Sequence, residues 1–595
     1  MKGETTFMLK RLSFIMVVVM VVVMSFGSAA FASDWLQFQK DAKNSGIYTD
    51  TGNPLPTSAP SSAYVSTQAG GFFGIDSSPI FAGSYAYVFP ITNIYEVYAN
   101  GSAVRDSETV ESTGGFQLCT PASDGSSVFV GINDMINQTT NKDFTTDLSG
   151  WTTGSSAGSP EFSQATVSDR TCARIYEGDA STNGDGHIRQ TVNKPYNTSV
   201  RLQFSYLQQY TESAPSASTI NVYAQPSGGS KTLIYTTSSG TYNEWIPVNE
   251  NITLSSTGNH EITFEWDYTT SDDSTATCCF TDCEFITQSV GVKKVTGLGD
   301  NLVVNSNFCS LEATGQANTP LKYHEYGNNK YLLLGTWVST TSGKYYCVDA
   351  TNGNVKWNFT PSTGAGFYWA GAACFEGYAI FGDDQGNVHV VNLDQSGTAV
   401  EVDQDSGTEG TQPYDLTNLT NAKIRTSICY YDVPDNVNDK LYVADYDGYL
   451  YQLNYNSSTH IITSGGARVR ADGVTYSTSS PVRIDDRVFY GAGGLSVSEI
   501  SSGTLQTPVS IGSGIGRVQA SPVVYKAGTD DYYIYVTENV NNGRAICVRY
   551  YKSGGNWTSS NAWTFTSNNY ILQGFAAANG KLYFGNDSGR LYVLY

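Results

Sequence analysis

Along most of the chain apolar and polar side chains alternate one by one, and the alternation breaks at short clusters of Asp, Asn and Gly. "FGDDQGNVHVVN" (381–392), "VADYDGYLYQLN" (443–454) and "FGNDSGRLYVLY" (584–595) each read as an apolar strand, a tight turn and a second strand with large alternate side chains. Successive strand side chains point to opposite faces, so a period of two predicts antiparallel hairpins. Spacing of the 3.6-residue kind is nearly absent, which makes the expected fold class all-β.

Upstream of the hairpins recurs a step of small residues into a strand: "SSPI" at Ser77, "CTPA" at Cys119, "NTPL" at Asn318, "GAAC" at Gly371, "RTSI" at Arg425, "SSPV" at Ser479, "ASPV" at Ala520 and "GFAA" at Gly574. Measured between the proline-equivalent positions 79, 121, 320, 372, 427, 481, 522 and 575, the spacings are 42, 199, 52, 55, 54, 41 and 53. Setting aside residues 141–287 as an insertion makes the long interval regular. The rest then divides into eight units of about 52 residues, the period of four-stranded β-propeller blades. Eight blades are expected, with seven of about 59 residues as the alternative.

"KYYCVDATNGNVKWNFTP" (344–361) shows an outer fourth strand after an Asn352-Gly353 turn. The last unit stops at Tyr595 without one, which would leave an open edge. Residues 34–39, with Trp35 and Phe38, are therefore expected to close the ring by pairing with the final unit. "DWLQFQKDAKNSG", the S-S-P starts, the D-x-x-G hairpins and "DATNGNVKW" together resemble the PQQ-like (quinoprotein-type) propeller repeat family over the propeller residues. The family includes exported surface proteins, and its motifs are specific for fold and poor for function.

The inserted interval is itself a run of short alternating strands, among them "DGHIRQTV" (185–192), "VRLQFSYLQQY" (200–210) and "HEITFEWDY" (260–268). A two-sheet sandwich follows, which resembles jelly-roll modules of the carbohydrate-binding type, with Trp151 after a Gly/Ser turn. The expected organisation is a signal peptide at 1–32, propeller at 33–140, sandwich at 141–287 placed in the hairpin of the second blade, and propeller again at 288–595. Lys10 and Arg11 ahead of the apolar run 12–26 and Ala30-Phe31-Ala32 are the pattern of a secretory leader. No other stretch has the roughly 18 apolar residues of a spanning helix, so no transmembrane span is expected in the mature chain.

Composition adjusts this picture only slightly. A net charge of −21 with 15% charged residues repels nucleic acid and keeps a large exported chain soluble. The ten cysteines form no C-x-x-C pair, so neither a zinc ribbon nor a haem site is expected, and disulfides are allowed but unassigned. Sequons at Asn137, Asn197, Asn251, Asn358, Asn418, Asn456 and Asn556 are candidate glycosylation sites, and Asn100 and Asn586 also carry the pattern.

Candidate chemistry is sparse. Asp383, Asp384, Asp445, Asp447 and Asp587 crowd the hairpin tips, where Asp is a turn former. "GDASTNGDGH" (178–187) is the candidate calcium loop, through Asp179, Asn183 and Asp185. "GSSAG" (154–158) lacks the strand-to-helix elbow of a hydrolase and reads as a loop. His389 stands where Tyr451 and Tyr592 stand in sister hairpins and reads as a repeat position. Cofactor-using members of the resembled family carry adjacent cysteines, a stacking Trp and calcium-binding carboxylates inside the propeller. The vicinal pair here, Cys278-Cys279, lies in the insertion, so no quinone is expected and no cofactor is required. Trp151, Tyr206, Tyr210, Trp245 and Trp266 are the candidates for stacking on sugar rings, and strand parity puts at least two of them in the core. The expected function is that of a non-catalytic, secreted or cell-surface binding scaffold whose partners are envelope proteins or glycans. The alternative is a quinone-dependent or carbohydrate-active enzyme working at the central mouth.

Overall fold

The computed structural model describes residues 35–595 except 68–73, 91, 111–118, 179–183, 195–199, 211–216, 239–241, 255, 270–274, 312–314, 406, 417–421, 435–437 and 472–475, so the leader at 1–32 lies outside the described residues. The alternation becomes strands throughout, and the described residues contain no α-helix. None is therefore long and apolar enough to cross a membrane.

Eight meander sheets follow one another along the chain, and each small-residue step leads into the innermost strand of one of them. These strands are Ile80–Ala82, Ala122–Ser123, Lys322–Tyr326, Ala373–Phe375, Cys429–Tyr431, Val482–Ile484, Val523–Gly528 and Ala576–Ala578. The small hydroxyls have a specific task, because the step of one sheet donates backbone N–H groups to the step of the next. Ser78 donates to Thr120 Oγ1 at 3.2 Å, Ser427 to Ser480 Oγ at 2.7 Å and Ser480 to Ser521 Oγ at 2.9 Å. A larger side chain would hold the sheets apart and leave these buried donors unpaired.

The hydrophobic core is divided accordingly. Val390, Tyr430 and Val443 fill the space between the fourth and fifth sheets, and Phe489, Ile534 and Val548 that between the sixth and seventh. The first sheet also meets the last: Phe81 and Tyr583 share one cluster with ring centroids 5.3 Å apart, and Ala576–Ala578 lies against Ile80–Ala82. The outer strand foreseen at "NVKW" is Val355–Phe359, and its turn needs Gly353 at φ +80° because a Cβ there would lie 1.7 Å from Phe308 O.

The closing strand is not the one expected. Ser62–Ser66 pairs antiparallel with Arg590–Leu594 and completes the last sheet, while residues 35–39, the described part of the expected segment, make no strand with it. Instead Trp35 bridges to Phe81, and the segment from Trp35 to Tyr48 runs as a strap that contacts six of the innermost strands, the step before the sixth and the turn after the eighth. Ser123 N–H donates to Leu36 O (2.8 Å), Tyr323 N–H to Gln37 Oε1 (2.8 Å), Cys374 N–H to Ala42 O (2.7 Å), Tyr430 N–H to Lys43 O (2.9 Å) and Val524 N–H to Gly46 O (3.0 Å). Gln39 Nε2 donates to Ser480 O (3.4 Å), and Tyr48 Oη accepts from Gly580 N–H (2.8 Å). Trp35 and Phe38 are both buried, but Trp35 packs at the seam between the first and last sheets and Phe38 lines a small hollow behind the strap. The hollow behind the strap, lined by Phe38, Pro320, Trp369, Ser480, Gln519 and Leu572, has a volume of about 10 Å³.

Residues 141–287 form two facing sheets around one core, in which Phe204 and Phe280 of one meet Phe264 and Trp266 of the other. The lobe and the second meander share one continuous strand. Ala276–Thr296 pairs with Val200–Tyr210 in the sandwich over its first half and with Val128–Asn137 in the meander over its second.

All ten cysteines are buried and none is in a disulfide, and burial pushes the thiols of Cys309, Cys374 and Cys429 up to about 12. Titration with a thiol-reactive dye is expected to label essentially none in the native chain and ten after denaturation. Fewer than ten would mean that disulfides form among them.

Candidate functional site

The five-stranded sheet of the sandwich runs in the order Thr232–Ser238, Ala217–Pro226, Gly258–Thr269, Gly184–Lys194, Thr152–Gly154. Strand parity turns Ile188, Val222, Phe264 and Trp266 into the core and everything between them outward. Register then builds a polar lattice on the outer face. Asp185 stands opposite Asp267, which stands opposite Thr219; His187 stands opposite Glu265, which stands opposite Asn221.

Most of this lattice is hydrogen-bonded. Asn221 Nδ2 donates to Asp267 Oδ2 (2.6 Å), Thr236 Oγ1 to Asn221 Oδ1 (2.7 Å) and Lys231 Nζ to Glu265 Oε2 (2.8 Å), with the ammonium 3.9 Å from the centre of the Tyr223 ring. Arg189 pairs with Glu261 at 3.1 Å. Two carboxylates directly opposite on neighbouring strands are normally unfavourable. Burial first, and then the Glu265 charge, push Asp267 up, against the Asn221 hydrogen bond. Burial holds His187 below its ordinary value although Glu265 and Asp185 pull the other way.

Asp185 is the member of the expected calcium loop that can be placed, since Asp179 and Asn183 lie outside the described residues. Its carboxylate is gripped by the "GSSAG" loop: Oδ1 accepts from Ser156 N–H (2.8 Å), Ser156 Oγ (3.0 Å) and Ala157 N–H. Ser156 is thus a loop anchor that holds the Asp185 carboxylate. A groove of about 400 Å³ runs off this face past Arg189, Thr191, Gln225 and Glu261, and one of about 470 Å³ lies around the sheet edge, lined by Thr232, Leu233, Asn251, Leu254 and His260. A third, of about 410 Å³, lies between the sixth and seventh meanders against the stacked Tyr550 and Trp557.

Of the five aromatic candidates the structure removes three. Trp266 is fully buried, and Tyr206 and Trp151 are 4% and 8% exposed, all within the sandwich core, where no sugar reaches a ring face. Trp245 is half-buried, with Nε1 donating to Val167 O (3.3 Å) and the Arg170 guanidinium 4.8 Å above the ring. Tyr210 is also half-buried, edge-on to Tyr242, with its hydroxyl donating to Ser218 Oγ. Sequence reasoning missed His187, Glu265, Asp267 and Lys231. The parity that buries Trp266 also turns Glu265 and Asp267 outward, but only register tells that Asp185 and His187 lie beside them.

The hairpin tips are turns. Asp383 Oδ1 accepts from Gln385 and Asn387 N–H, Asp445 Oδ1 from Tyr449 N–H and Asn586 Oδ1 from Ser588 and Arg590 N–H. Asp384 instead forms a two-point ion pair with Arg425 (2.8 and 3.0 Å). His389 is sealed in the fourth sheet with both ring nitrogens taken, Nδ1 by Glu401 (2.7 Å) and Nε2 by Asp383 (3.0 Å), so it has no lone pair or proton to offer a substrate.

No family model and no curated protein matches the sequence. Solved structures do show likenesses. The TmCBM61 module in complex with β-1,4-galactotriose is 14% identical, covers 26% of this chain and 99% of its own, with a TM-score of 0.20. A CBM4 module is 17% identical over 24% of this chain and 94% of its own, with a TM-score of 0.17. A europium-containing methanol dehydrogenase is 12% identical over 86% of this chain and 90% of its own, with a TM-score of 0.35.

Proposed function

We propose that the chain is an exported, non-catalytic binding scaffold: a closed eight-bladed propeller at 33–140 and 288–595, presenting a carbohydrate-binding-like sandwich at 141–287 to glycans or proteins of the cell envelope. The eight meanders, the contact of the last with the first and the strap that visits all of them support the ring. The observation that carries the function is where the open space lies. The sandwich carries grooves of about 470 and 400 Å³ edged by hydrogen-bonding side chains and the outside of the sixth and seventh meanders carries one of about 410 Å³, whereas the hollow behind the strap, at about 10 Å³, is at the lower limit for one water molecule. Asn137, Asn251, Asn358, Asn456 and Asn556 are at least partly exposed and accessible to glycosylation, while Asn197 and Asn418 lie outside the described residues. Half-buried Trp245 and Tyr210 are the sugar-stacking candidates that lie outside the fully buried core.

The test is a glycan array probed with the full mature chain, run beside a dye-reduction assay with quinone and calcium. Glycan retention without dye reduction is expected. Quinone-dependent turnover, or the absence of retention on any glycan or envelope fraction, would overturn the reading.

A further inference from the structure

We infer that Asp185, His187 and Glu265 form a binding site for a divalent transition-metal ion of the zinc class on the outer face of the sandwich. Each residue turns one ligand atom into a common space, and these atoms lie within 4.8 Å of one another, with His187 Nδ1 3.9 Å from Asp185 Oδ2. A tetrahedral zinc site places its ligand atoms about 3.3 Å apart. Small rotations of the two half-buried side chains, His187 and Glu265, would close the difference.

Three features separate this cluster from an ordinary acidic patch. First, Nδ1 of His187 is buried and has no hydrogen-bond partner among the described residues, although it points towards two carboxylates. A buried nitrogen left unpaired costs stability unless something meets it. The ring cannot swing away cheaply, because it packs so closely over Gly154 that a Cβ there would lie 2.8 Å from Nε2. Second, Asp185 is held as a ligating carboxylate is usually held. The loop at Ser156 and Ala157 donates three hydrogen bonds to Oδ1 and one, from Ser156 N–H at 3.0 Å, to Oδ2, whose second lone pair remains on the histidine side, and such outer partners orient ligands and tune affinity. Third, Asp267 adds a further carboxylate directly opposite Asp185, so the face gathers negative charge that a dication would compensate.

The opposing feature is Lys231, which already pairs with Glu265. Its side chain is 41% exposed and can retreat into solvent, which would leave the Glu265 carboxylate, 13% exposed, free for a cation. A nitrogen ligand selects zinc-like ions over calcium, which takes oxygen. The fourth position faces solvent and is open to water or to a donor atom of a bound ligand. Another buried His-carboxylate group among the described residues does not qualify. In it Asp383 and Glu401 sit on opposite nitrogens of His389, so their oxygens do not converge on one point.

The experiment is a calorimetric titration of the chelator-stripped full chain with Zn²⁺ alone, repeated with Co²⁺ while recording visible absorption, and with Ca²⁺. One Zn²⁺ per chain is expected, with a Co²⁺ absorption band and no competition by Ca²⁺. Loss of an outer-shell partner alone typically costs about 10- to 100-fold in affinity, so His187→Ala and Glu265→Gln should weaken binding by at least about tenfold. His187→Ala should also remove the Co²⁺ band. His187 and Glu265 lie on the outer face, so both variants should melt close to the wild type, which shows that they fold. Binding unchanged in His187→Ala, binding of Ca²⁺ but not Zn²⁺, or no binding of any of the three ions would overturn the assignment.

Discussion

A chain beginning at residue 50, with Ser62–Ser66 intact, is expected to lose on the order of 5 kcal/mol of stability or to fail to fold. The strap is built into the set of meander sheets more deeply than a closing edge strand would be. Trp35, Phe38 and Tyr48 are all buried, and each such side chain contributes about 1.5–3 kcal/mol. The strap also solvates a buried cation. Lys322 is fully buried, and its ammonium donates to Phe38 O (3.1 Å), Asp41 O (3.0 Å) and Asn44 Oδ1 (2.5 Å). Burial pushes Lys322 down to about 8, with the Asp41 charge opposing. Asn44 Nδ2 meanwhile donates to Ala372 O (3.0 Å) and Ile428 O (2.8 Å), tying the fourth sheet to the fifth. Removing the strap strips Lys322 of its oxygens and leaves those carbonyls unpaired. If the truncated chain does not fold, Trp35→Ala in the full chain tests the same claim, with an expected loss of about 3–5 kcal/mol in a denaturant titration. A truncated chain that melts with the full one would show the strap to be ornamental.

The strap also marks where sequence reading stops. The hairpins at 381–392, 443–454 and 584–595 were legible because both strands and the turn lie within a dozen residues and obey one period. The eight small-residue steps were legible because they recur. Trp35 and Phe38 obey no period, and their partners lie far off in the sequence: Asn44 reaches Ile428, and Gln39 reaches Ser480. Aromatic residues near a terminus look the same whether they form an edge strand or a plug. In the sandwich, parity correctly separated Trp266 from the outer face. The meeting of Asp185 and His187 with Glu265 and Asp267 depends on register between strands some 80 residues apart in sequence, which no local pattern carries. The same limit hid the Glu401 partner of His389, although the hairpin comparison placed His389 correctly as a repeat position.

That histidine carries the second large effect. His389→Leu is expected to cost about 3–5 kcal/mol near pH 6, because it leaves Asp383 and Glu401 as buried carboxylates with no cation between them. Burial alone would lower the imidazole. The hydrogen bonds and charges of Asp383 and Glu401 outweigh it and hold His389 up at about 9, while Asp383 is held below its usual range by the same contact against its own burial. A base whose folded value exceeds its unfolded value of 6.5 stabilises fully below 6.5 and loses that stabilisation as pH rises through 9. The amount is about 3 kcal/mol across that window. Lys322, displaced downward, works in the opposite direction above about 8, so the histidine is best isolated by difference. The fifth sheet supplies the comparison: at the same hairpin position Tyr451 Oη donates to Asp445 Oδ2 at 2.8 Å. His389→Tyr combined with Glu401→Gln copies that arrangement with one carboxylate fewer. It should recover most of the stability lost in His389→Leu and flatten the decline between pH 6.5 and 9 relative to the wild type. If His389→Leu is as stable as the wild type, or if the double variant declines in parallel with it, the imidazolium does not hold the fourth sheet together.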